Sequence, residues 1–200
     1  PYTIRRAETQ DAPVLCSIYA PYVAHTAVSF EYTAPDAQEF ARRIADISVH
    51  YPYLVAVDDA TGQPVTYAYA HALHERAAFQ YCAEASVYVH PRHHGQGLAK
   101  MLYARLEDLL RQQGVQQLYV CITTVTHPDP YVTSTSIDVH RHLGFEQVGR
   151  FDACGWKFGR WYDVTWLRNV FDLFIKNNPQ THHENLGDIK ACPMLHRHPD

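Results

Sequence analysis

The chain has 200 residues, of which 46% are hydrophobic and 19% charged, and its formal net charge is −4. This composition suits one globular domain with a sizeable core, and the acidic balance provides no basic field for nucleic acid. No apolar run reaches the roughly 18 residues that a membrane-spanning helix needs, and the first residues lack the apolar core of a signal peptide.

Hydrophobic periodicity in the first half of the chain predicts a strand, two helices and an antiparallel meander. The strand covers residues 2–6, and Asp11 is the predicted N-cap of a helix that runs to residue 24. Asp36 and Glu39 have capping-box spacing and open the second helix. The meander takes its strands from residues 53–57, 64–72 and 83–89.

The second half of the chain reads as alternating helices and strands, followed by a polar tail. Apolar residues at helical spacing predict a helix over residues 97–113, which Gly114 ends. A strand at 118–122, a short helix at 136–143 and strands at 145–151 and 162–167 follow. We expect residues 171–200 to form a loosely packed extension or to cover a partner subunit.

The most informative stretch is 84–100, where a strand leads through Pro91 and two glycines into a helix. Glycine lets the backbone pass close to a ligand, and a helix that begins there presents free N–H groups and a positive dipole end. These features predict a site for a phosphate group. The spacing Arg92-x-x-Gly95-x-Gly97 is neither the dinucleotide fingerprint nor a Walker loop.

This loop resembles the pyrophosphate loop of the GNAT superfamily of acyl-CoA N-acyltransferases, and the element order is similar to that of the GNAT fold. Within the superfamily the chain looks like the phosphinothricin and methionine sulfoximine N-acetyltransferase branch. The matching segments are 26–30, 51–56, 84–100, 140–145 and the signature Gly-Trp-Lys-Phe-Gly-Arg-Trp-Tyr-Asp at 155–163. The resemblance implies an α/β fold with a single mixed, mostly antiparallel twisted sheet flanked by helices, in one domain over residues 1–170.

The resemblance also implies a reaction: acetyl-CoA gives its acetyl group to the α-amino group of a small amino acid or analogue, by direct attack in a ternary complex. Glu84 matches the glutamate that serves the family as general base, which removes the ammonium proton. His140 stands where this branch has a histidine instead of the tyrosine that protonates the leaving sulfur in many GNAT enzymes. Both are therefore the candidate catalytic residues.

Cofactor contacts follow from the same match. The strand residues Val87, Tyr88 and Val89 would lie along the pantetheine arm, and Arg92 would add positive charge. Backbone N–H groups would bind the pyrophosphate, and they belong to Gly95, Gln96, Gly97, Leu98, Ala99 and Lys100. Family members carry an asparagine before the His140 helix, whereas this chain has Thr133 or Ser134 after a longer loop. We expect these hydroxyls to substitute as hydrogen-bond partners.

Four residues are candidates for acceptor binding. Arg76 either binds the acceptor's carboxylate or phosphinate or is an exposed arginine of a hairpin loop, and the sequence does not decide between the two. His74 replaces the lysine and Phe79 the tyrosine of the phosphinothricin enzymes, and Phe30 would be an apolar wall. The two replacements remove a fixed charge and a hydroxyl, so phosphinothricin itself is expected to be a poor substrate.

Two other function classes remain open. One is a non-catalytic acyl-CoA-binding or sensing module, and the other is an acetyltransferase for a polyamine, an aminoglycoside or a peptide amine. We expect a small-molecule amine substrate and a homodimer, with no nucleic-acid or membrane partner and no metal. The possible ligands Cys192, His196 and His198 are weak grounds for a metal site. Five scattered cysteines without a CxxC pair favour reduced thiols in a cytoplasmic protein.

Overall fold

A computed structural model describes residues 1–171 as a seven-stranded sheet in the order β1-β2-β3-β4-β5-β7-β6. The strands are β1 (Tyr2–Arg6), β2 (Tyr53–Asp58), β3 (Gln63–Ala72), β4 (Cys82–Val89), β5 (Gln117–Thr124), β6 (Glu146–Lys157) and β7 (Arg160–Val170). The helices are α1 (Ala12–His25), α2 (Ala37–Ser48), α3 (Leu98–Gln112) and α4 (Thr135–His142). Neighbouring strands are antiparallel except β4 and β5, which are parallel.

Helices cover both faces of this sheet. One core lies between α3 and the alanine- and leucine-rich face of the strands, and Ile137 and Leu143 from the α4 segment pack against it. The second core lies between α1, α2 and the opposite face, where Tyr53 and Tyr67 are buried. This arrangement confirms the predicted mixed, mostly antiparallel sheet flanked by helices.

The two predicted N-caps behave differently. The Asp36 carboxylate accepts the Glu39 N–H at 2.8 Å, as the sequence predicts for α2. Asp11 directly precedes α1, but the prediction that its side chain caps that helix is wrong. Its carboxylate instead accepts two bonds of 2.7 Å from the Arg5 guanidinium and one of 2.8 Å from the Glu8 N–H. A bidentate bond to a guanidinium is stronger than a neutral capping bond.

Strands β6 and β7 form a hairpin that is longer than predicted. The signature at residues 155–163 contains the turn and the ends of both strands. The chain reverses at Phe158 and Gly159, whose φ angles are 53° and 71°. Two successive positive φ angles fit a tight hairpin turn that matches the strand twist. A bulge between Phe151 and Gly155 interrupts the alternation of side chains between the two faces of β6. The sequence pattern therefore predicts this strand only as far as residue 151.

No helix within residues 1–171 is long and apolar enough to cross a membrane. The predicted tail covers residues 171–200, and all of it except Phe171 lies outside the described residues. The possible metal ligands of that tail lie outside them as well. Among the residues that the structure describes, no three His, Cys, Asp or Glu side chains converge as a metal site would require.

Candidate active site

The candidate active site lies where β4 and β5 separate. These strands pair over three residues only, Cys82–Glu84 against Gln117–Tyr119, and then diverge. A cleft of about 60 Å³ opens beyond the last pair, between the continuing strands and α4. Its lining includes Ser86, Val87, Tyr88, Cys121, Thr133 and His140. The site therefore lies within the sheet, between strands that are neighbours but no longer bonded to each other.

The β4 side of this cleft presents backbone groups. The His90 N–H donates to the Val65 carbonyl at 2.8 Å, and antiparallel alternation then turns the backbone groups of Val87 and Val89 toward β5. The Val89 carbonyl accepts the Tyr22 hydroxyl at 2.6 Å. Val87 and the Val89 N–H are therefore the groups that this edge can offer to an extended ligand. Tyr88 points its ring the other way, against Tyr19 and Tyr22.

The glycine loop has the geometry that the sequence predicts. Gly95 and Gly97 have φ angles of 76° and 75°, which an L side chain rarely adopts. Gly97 immediately precedes α3, and the first bond of that helix runs from Met101 N–H to the Gly97 carbonyl at 3.1 Å. The N–H groups of residues 98–100 consequently have no intrahelical acceptor. Free N–H groups at a helix start are suited to binding an anion.

Two tyrosines hold this loop in place. The Tyr2 hydroxyl bonds the Gln96 side chain and lies 3.2 Å from His93 Nδ1. The Tyr22 hydroxyl lies 2.9 Å from His94 Nε2. Sequence analysis did not identify either tyrosine, since residues of a first strand and a first helix give no local sign that they reach a loop 70 to 90 positions away. Arg92 is exposed on the same loop.

Glu84 is the last β4 residue paired with β5, at the closed end of the divergence. Its neighbours Ala83 and Ala85 point into the α3 core, so its side chain lies on the opposite face of the sheet. The side chain is 19% exposed, and His71 Nε2 lies 3.9 Å from its carboxylate. Burial raises the pKa of Glu84, and the nearby His71 opposes that shift. A carboxylate with a raised pKa is a stronger proton acceptor.

His140 is 5% exposed and is bonded through both ring nitrogens. Nδ1 lies 2.7 Å from the Ser136 carbonyl, and Nε2 lies 2.8 Å from the Tyr103 hydroxyl. Burial lowers the pKa of His140, while the bond to Ser136 opposes the shift. A neutral ring must then donate from Nδ1 to the carbonyl and accept the Tyr103 hydroxyl at Nε2, a tautomer that we assign from these partners.

Tyr103 is the residue of this wall that sequence analysis missed. It lies on α3 and lines the cleft together with His140. Its ring is buried, and burial raises the pKa of its hydroxyl well above the usual range. In the sequence it occupies the apolar face of an amphipathic helix, which is the ordinary pattern of a core residue. The structure shows that this face also delivers a hydroxyl to the cleft.

The four candidate acceptor residues fall into two groups. His74, Arg76 and Phe79 lie in the segment between β3 and β4, where the rings of His74 and Phe79 stack at 4.9 Å. The Arg76 guanidinium makes no hydrogen bond or ion pair with residues 1–171. Phe30 lies apart from them, with its ring against Gly155 and 6.4 Å from the ring of Tyr162. None of the four lines the cleft between β4 and β5.

Lys157 connects the Phe30 loop to the hairpin. It is 3% exposed, and its ammonium donates to the carbonyls of Val23, Thr26 and Ser29 at 2.7, 2.9 and 2.6 Å. Two of these acceptors lie at the end of α1, where a cation is also favoured by the helix dipole. The signature lysine therefore determines where the segment that carries Phe30 runs.

The two residues predicted to replace the family asparagine are separated by the structure. Thr133 lines the cleft, and its hydroxyl donates to Thr135 Oγ1 at 3.0 Å. Ser134 precedes α4 without a side-chain capping bond, and it lines a different cavity on the other side of that helix. Thr133 is thus the better placed of the two for a contact within the cleft.

The chain is similar to known proteins over most of its length. The acetyltransferase (GNAT) domain model matches residues 4–166. An L-methionine sulfoximine/L-methionine sulfone acetyltransferase of Salmonella typhimurium is 33% identical over 171 residues, which are 85% of this chain and 95% of that protein. A phosphinothricin N-acetyltransferase of Alcaligenes faecalis is 32% identical over 83% of this chain and 81% of its own length.

Solved structures show the same fold. A GNAT superfamily phosphinothricin acetyltransferase from Sinorhizobium meliloti, crystallised with acetyl-CoA, superposes with a TM-score of 0.76 at 34% identity, over 84% of this chain and 88% of its own. A Salmonella typhimurium acetyltransferase with its cofactor acetyl-CoA gives a TM-score of 0.77 at 31% identity, over 86% and 94%. The chain described here therefore belongs to the GNAT acetyltransferase family.

Proposed function

We propose that this protein is an acetyl-CoA-dependent N-acetyltransferase whose acceptor is the α-amino group of a small amino acid or analogue, of the phosphinothricin, methionine sulfoximine or methionine sulfone type. Family membership supports acetyl-CoA as the cosubstrate. The names of the relatives support the acceptor class. The observation that carries the proposal is the position of Glu84, a half-buried base at the closed end of the cleft between β4 and β5.

In the proposed complex, acetyl-CoA enters between β4 and β5. Its pantetheine arm bonds the backbone of Val87 and Val89, and its pyrophosphate binds the loop of Gly95 and Gly97. The contributing N–H groups of that loop and of the first turn of α3 belong to Gly95, Gln96, Gly97, Leu98, Ala99 and Lys100, with Arg92 as a nearby positive charge. Tyr88 supports the strand from behind, and Thr133 bonds the arm from the α4 side.

The chemistry then moves protons at the nitrogen and at the sulfur. Glu84 accepts a proton from the acceptor's ammonium, the neutral amine attacks the thioester carbon, and the carbon–sulfur bond breaks. The departing thiolate takes the proton of the Tyr103 hydroxyl, which is bonded to His140 at 2.8 Å, and the second proton that the nitrogen loses as the amide forms restores that hydroxyl. Glu84 lies at the closed end of the strand divergence, and Tyr103 and His140 line the cleft beyond it, so different groups accept the first proton and supply the proton for sulfur.

Direct attack is favoured over an acetylated cysteine. Cys121 lines the cleft with its surface partly exposed, and loss of hydration by the surrounding protein, with Glu84 and Cys154 nearby, raises its pKa to about 12. The thiolate is the nucleophilic form of cysteine, so this thiol is almost entirely inactive at neutral pH. The acceptor amine is therefore the attacking group.

We also propose a homodimer in which the β6–β7 hairpin contacts the partner. Phe151, Trp156 and Trp161 are 60%, 46% and 62% exposed, and the two tryptophan rings lie 5.0 Å apart. Large exposed aromatic side chains that lie together favour a protein interface. Sedimentation velocity should show a dimer that Trp161→Glu converts to monomer, and a wild-type monomer at micromolar concentration would contradict this assignment.

The function is tested by thiol release from acetyl-CoA against a panel of amines. Methionine sulfone, methionine sulfoximine, phosphinothricin, ordinary amino acids, spermidine and a peptide make up the panel. Turnover on the amino-acid analogues supports the proposal, with phosphinothricin expected to be poor because His74 and Phe79 replace a cation and a hydroxyl. Turnover on spermidine or the peptide alone would reject the acceptor class, and acetyl-CoA binding without any turnover would favour a sensing module.

A further inference from the structure

A second cavity, of about 630 Å³, lies on the other side of α4 from the cleft. Its walls are the segment 124–134, α4 and the strands β6 and β7. The volume falls within the range of about 300 to 1,000 Å³ that is typical of small-molecule sites. Neither Glu84 nor His140 lines this cavity, although Val132 and Thr133 border both spaces. It therefore adjoins the cleft at Val132 and Thr133 but contains neither of the proposed catalytic residues.

The segment that forms its outer wall is firmly attached. The Asp129 carboxylate accepts the Tyr131 N–H and the Arg160 guanidinium, both at 2.8 Å. Tyr131 stacks on Phe158 with ring centroids 4.2 Å apart, and its carbonyl accepts the Ala27 N–H at 3.1 Å. This long segment is thus bonded to the β6–β7 hairpin on its outer side, which keeps it away from α4.

Most charged groups around the cavity already have a partner of opposite charge or a hydrogen bond. Asp129 is paired with Arg160 as described, and Arg150 Nε lies 2.6 Å from Asp152. Asp163 accepts the Ala153 N–H at 2.8 Å and lies 4.0 Å from Arg150. Together these groups leave one carboxylate in excess, because Asp152 and Asp163 share Arg150.

Two exposed lining residues on α4, of opposite charge, have no ion-pair partner within residues 1–171. The Asp138 side chain has no hydrogen bond or ion pair with any residue of the described range 1–171. Arg141 donates only to the neutral Gln147 side chain, at 3.3 Å, within that range. The two residues are three positions apart on one helix, so their side chains emerge on the same face. The cavity consequently offers one carboxylate and one guanidinium next to each other.

We infer that this cavity is a second binding site, separate from the acceptor site, for a free α-amino acid. The zwitterion complements both free charges: its carboxylate bonds the Arg141 guanidinium, and its ammonium bonds Asp138. Val125, Val132 and Ile137 supply apolar surface for its side chain. A simple anion or cation would leave one of the two charges without a partner. The inference goes beyond the proposed function, because the bound amino acid is not the one that is acetylated.

Equilibrium dialysis of radiolabelled L-methionine against the full-length protein tests this site. The variant Asp138→Asn/Arg141→Gln should bind the probe at least about tenfold more weakly at this site, as expected for two lost charge-assisted hydrogen bonds. Arg76→Ala should retain this binding, since Arg76 belongs to the acceptor side. Arg111→Gln, an exposed arginine on α3, is the matched control and should bind like the wild type.

Competition separates the zwitterion from simpler ligands. Unlabelled N-acetyl-L-methionine lacks the ammonium and L-methioninamide lacks the carboxylate, so both should compete at least about tenfold more weakly than L-methionine. Equal competition by either compound would overturn the ligand class. Binding that is absent, or unchanged in Asp138→Asn/Arg141→Gln, would overturn the site itself. A failure of the proposed acetyl transfer would appear differently, as lost turnover with this binding intact.

Discussion

Gly155 lies directly beneath the ring of Phe30, so that a Cβ at Gly155 would overlap three ring atoms. The signature glycine of the β6–β7 hairpin thus leaves the space that Phe30 occupies. Phe30 is a predicted wall of the acceptor site, and Gly155 is far from the glycine loop in the sequence. Under the proposed function, we therefore expect the family signature to affect acceptor binding rather than cofactor binding.

Gly155→Ala should raise the KM for the acceptor about tenfold, because the ring of Phe30 must move to admit the methyl group. The KM for acetyl-CoA should change by less than about twofold, a difference that steady-state kinetics with each substrate varied can measure. Gly149→Ala is the control, since a Cβ at that glycine of the same strand meets no atom within 4 Å. Equal effects of the two variants would contradict the link between Gly155 and the acceptor.

Lys157→Met should destabilise the protein by about 2 to 4 kcal/mol, because three buried carbonyls lose their shared donor. Urea unfolding followed by circular dichroism measures this loss. The remaining folded enzyme should show a raised KM for the acceptor, since the segment with Phe30 is no longer held. Lys100→Met, an exposed lysine, should leave the free energy of unfolding within about 0.5 kcal/mol. A stable Lys157→Met variant would show that the carbonyls find other donors.

His140→Gln and Tyr103→Phe should each lower kcat by about tenfold or more, since either change breaks the shared hydrogen bond. The double variant should lose little beyond the larger single loss, because the two side chains act as a unit. His142→Gln is the matched control on the same helix, where the ring of an exposed histidine bonds the Asp138 carbonyl and no other group within residues 1–171. Fully additive losses would mean that Tyr103 and His140 act independently.

The dependence of kcat/KM on pH should reflect the ionisation of Glu84. Burial raises the pKa of this carboxyl, and only its deprotonated form accepts the ammonium proton, so kcat/KM for the acceptor should fall as the pH is lowered through that pKa. His71 lowers the pKa of Glu84, so His71→Leu should raise it further and shift the acidic limb to higher pH. If His71→Leu leaves the acidic limb unchanged or shifts it to lower pH, the limb reflects the ionisation of a group other than Glu84.

The sequence predicts the fold well where a signal is local. The N-cap at Asp36, the glycine stops and the alternating strands all depend on neighbours within four positions, and the structure confirms them, although the Glu39 side chain bonds Arg42 and Arg43 instead of completing a capping box. Prediction from local signals fails at Asp11, because its carboxylate bonds Arg5 on the preceding strand instead of capping α1. The bulge before Gly155 hides half of β6 for a related reason: the alternation of side chains fails where two extra residues are inserted.

The site was predictable in part. A motif marks Glu84, His140 and the glycine loop, and the structure places all three around the region where β4 and β5 separate. The motif could not reveal His71, which lies next to Glu84 only because of the register of β3 and β4. It could not reveal Tyr103 either, because Tyr103 resembles a core residue of α3. The free charges of Asp138 and Arg141 are visible only when the partners of every neighbouring charge are known.

The most direct measurement compares Glu84→Gln with Glu107→Gln. Glu107 is a control of the same type, a half-buried glutamate with a raised pKa that bonds Asn169 and Arg111 and affects the cleft through its charge near Tyr103. With methionine sulfone as acceptor, Glu84→Gln should lower kcat at least about a hundredfold, within the range of general-base catalysis, while acetyl-CoA affinity changes by less than about twofold. Glu107→Gln should keep kcat within about threefold. Turnover by Glu84→Gln at the wild-type rate would contradict the assignment of Glu84 as the base.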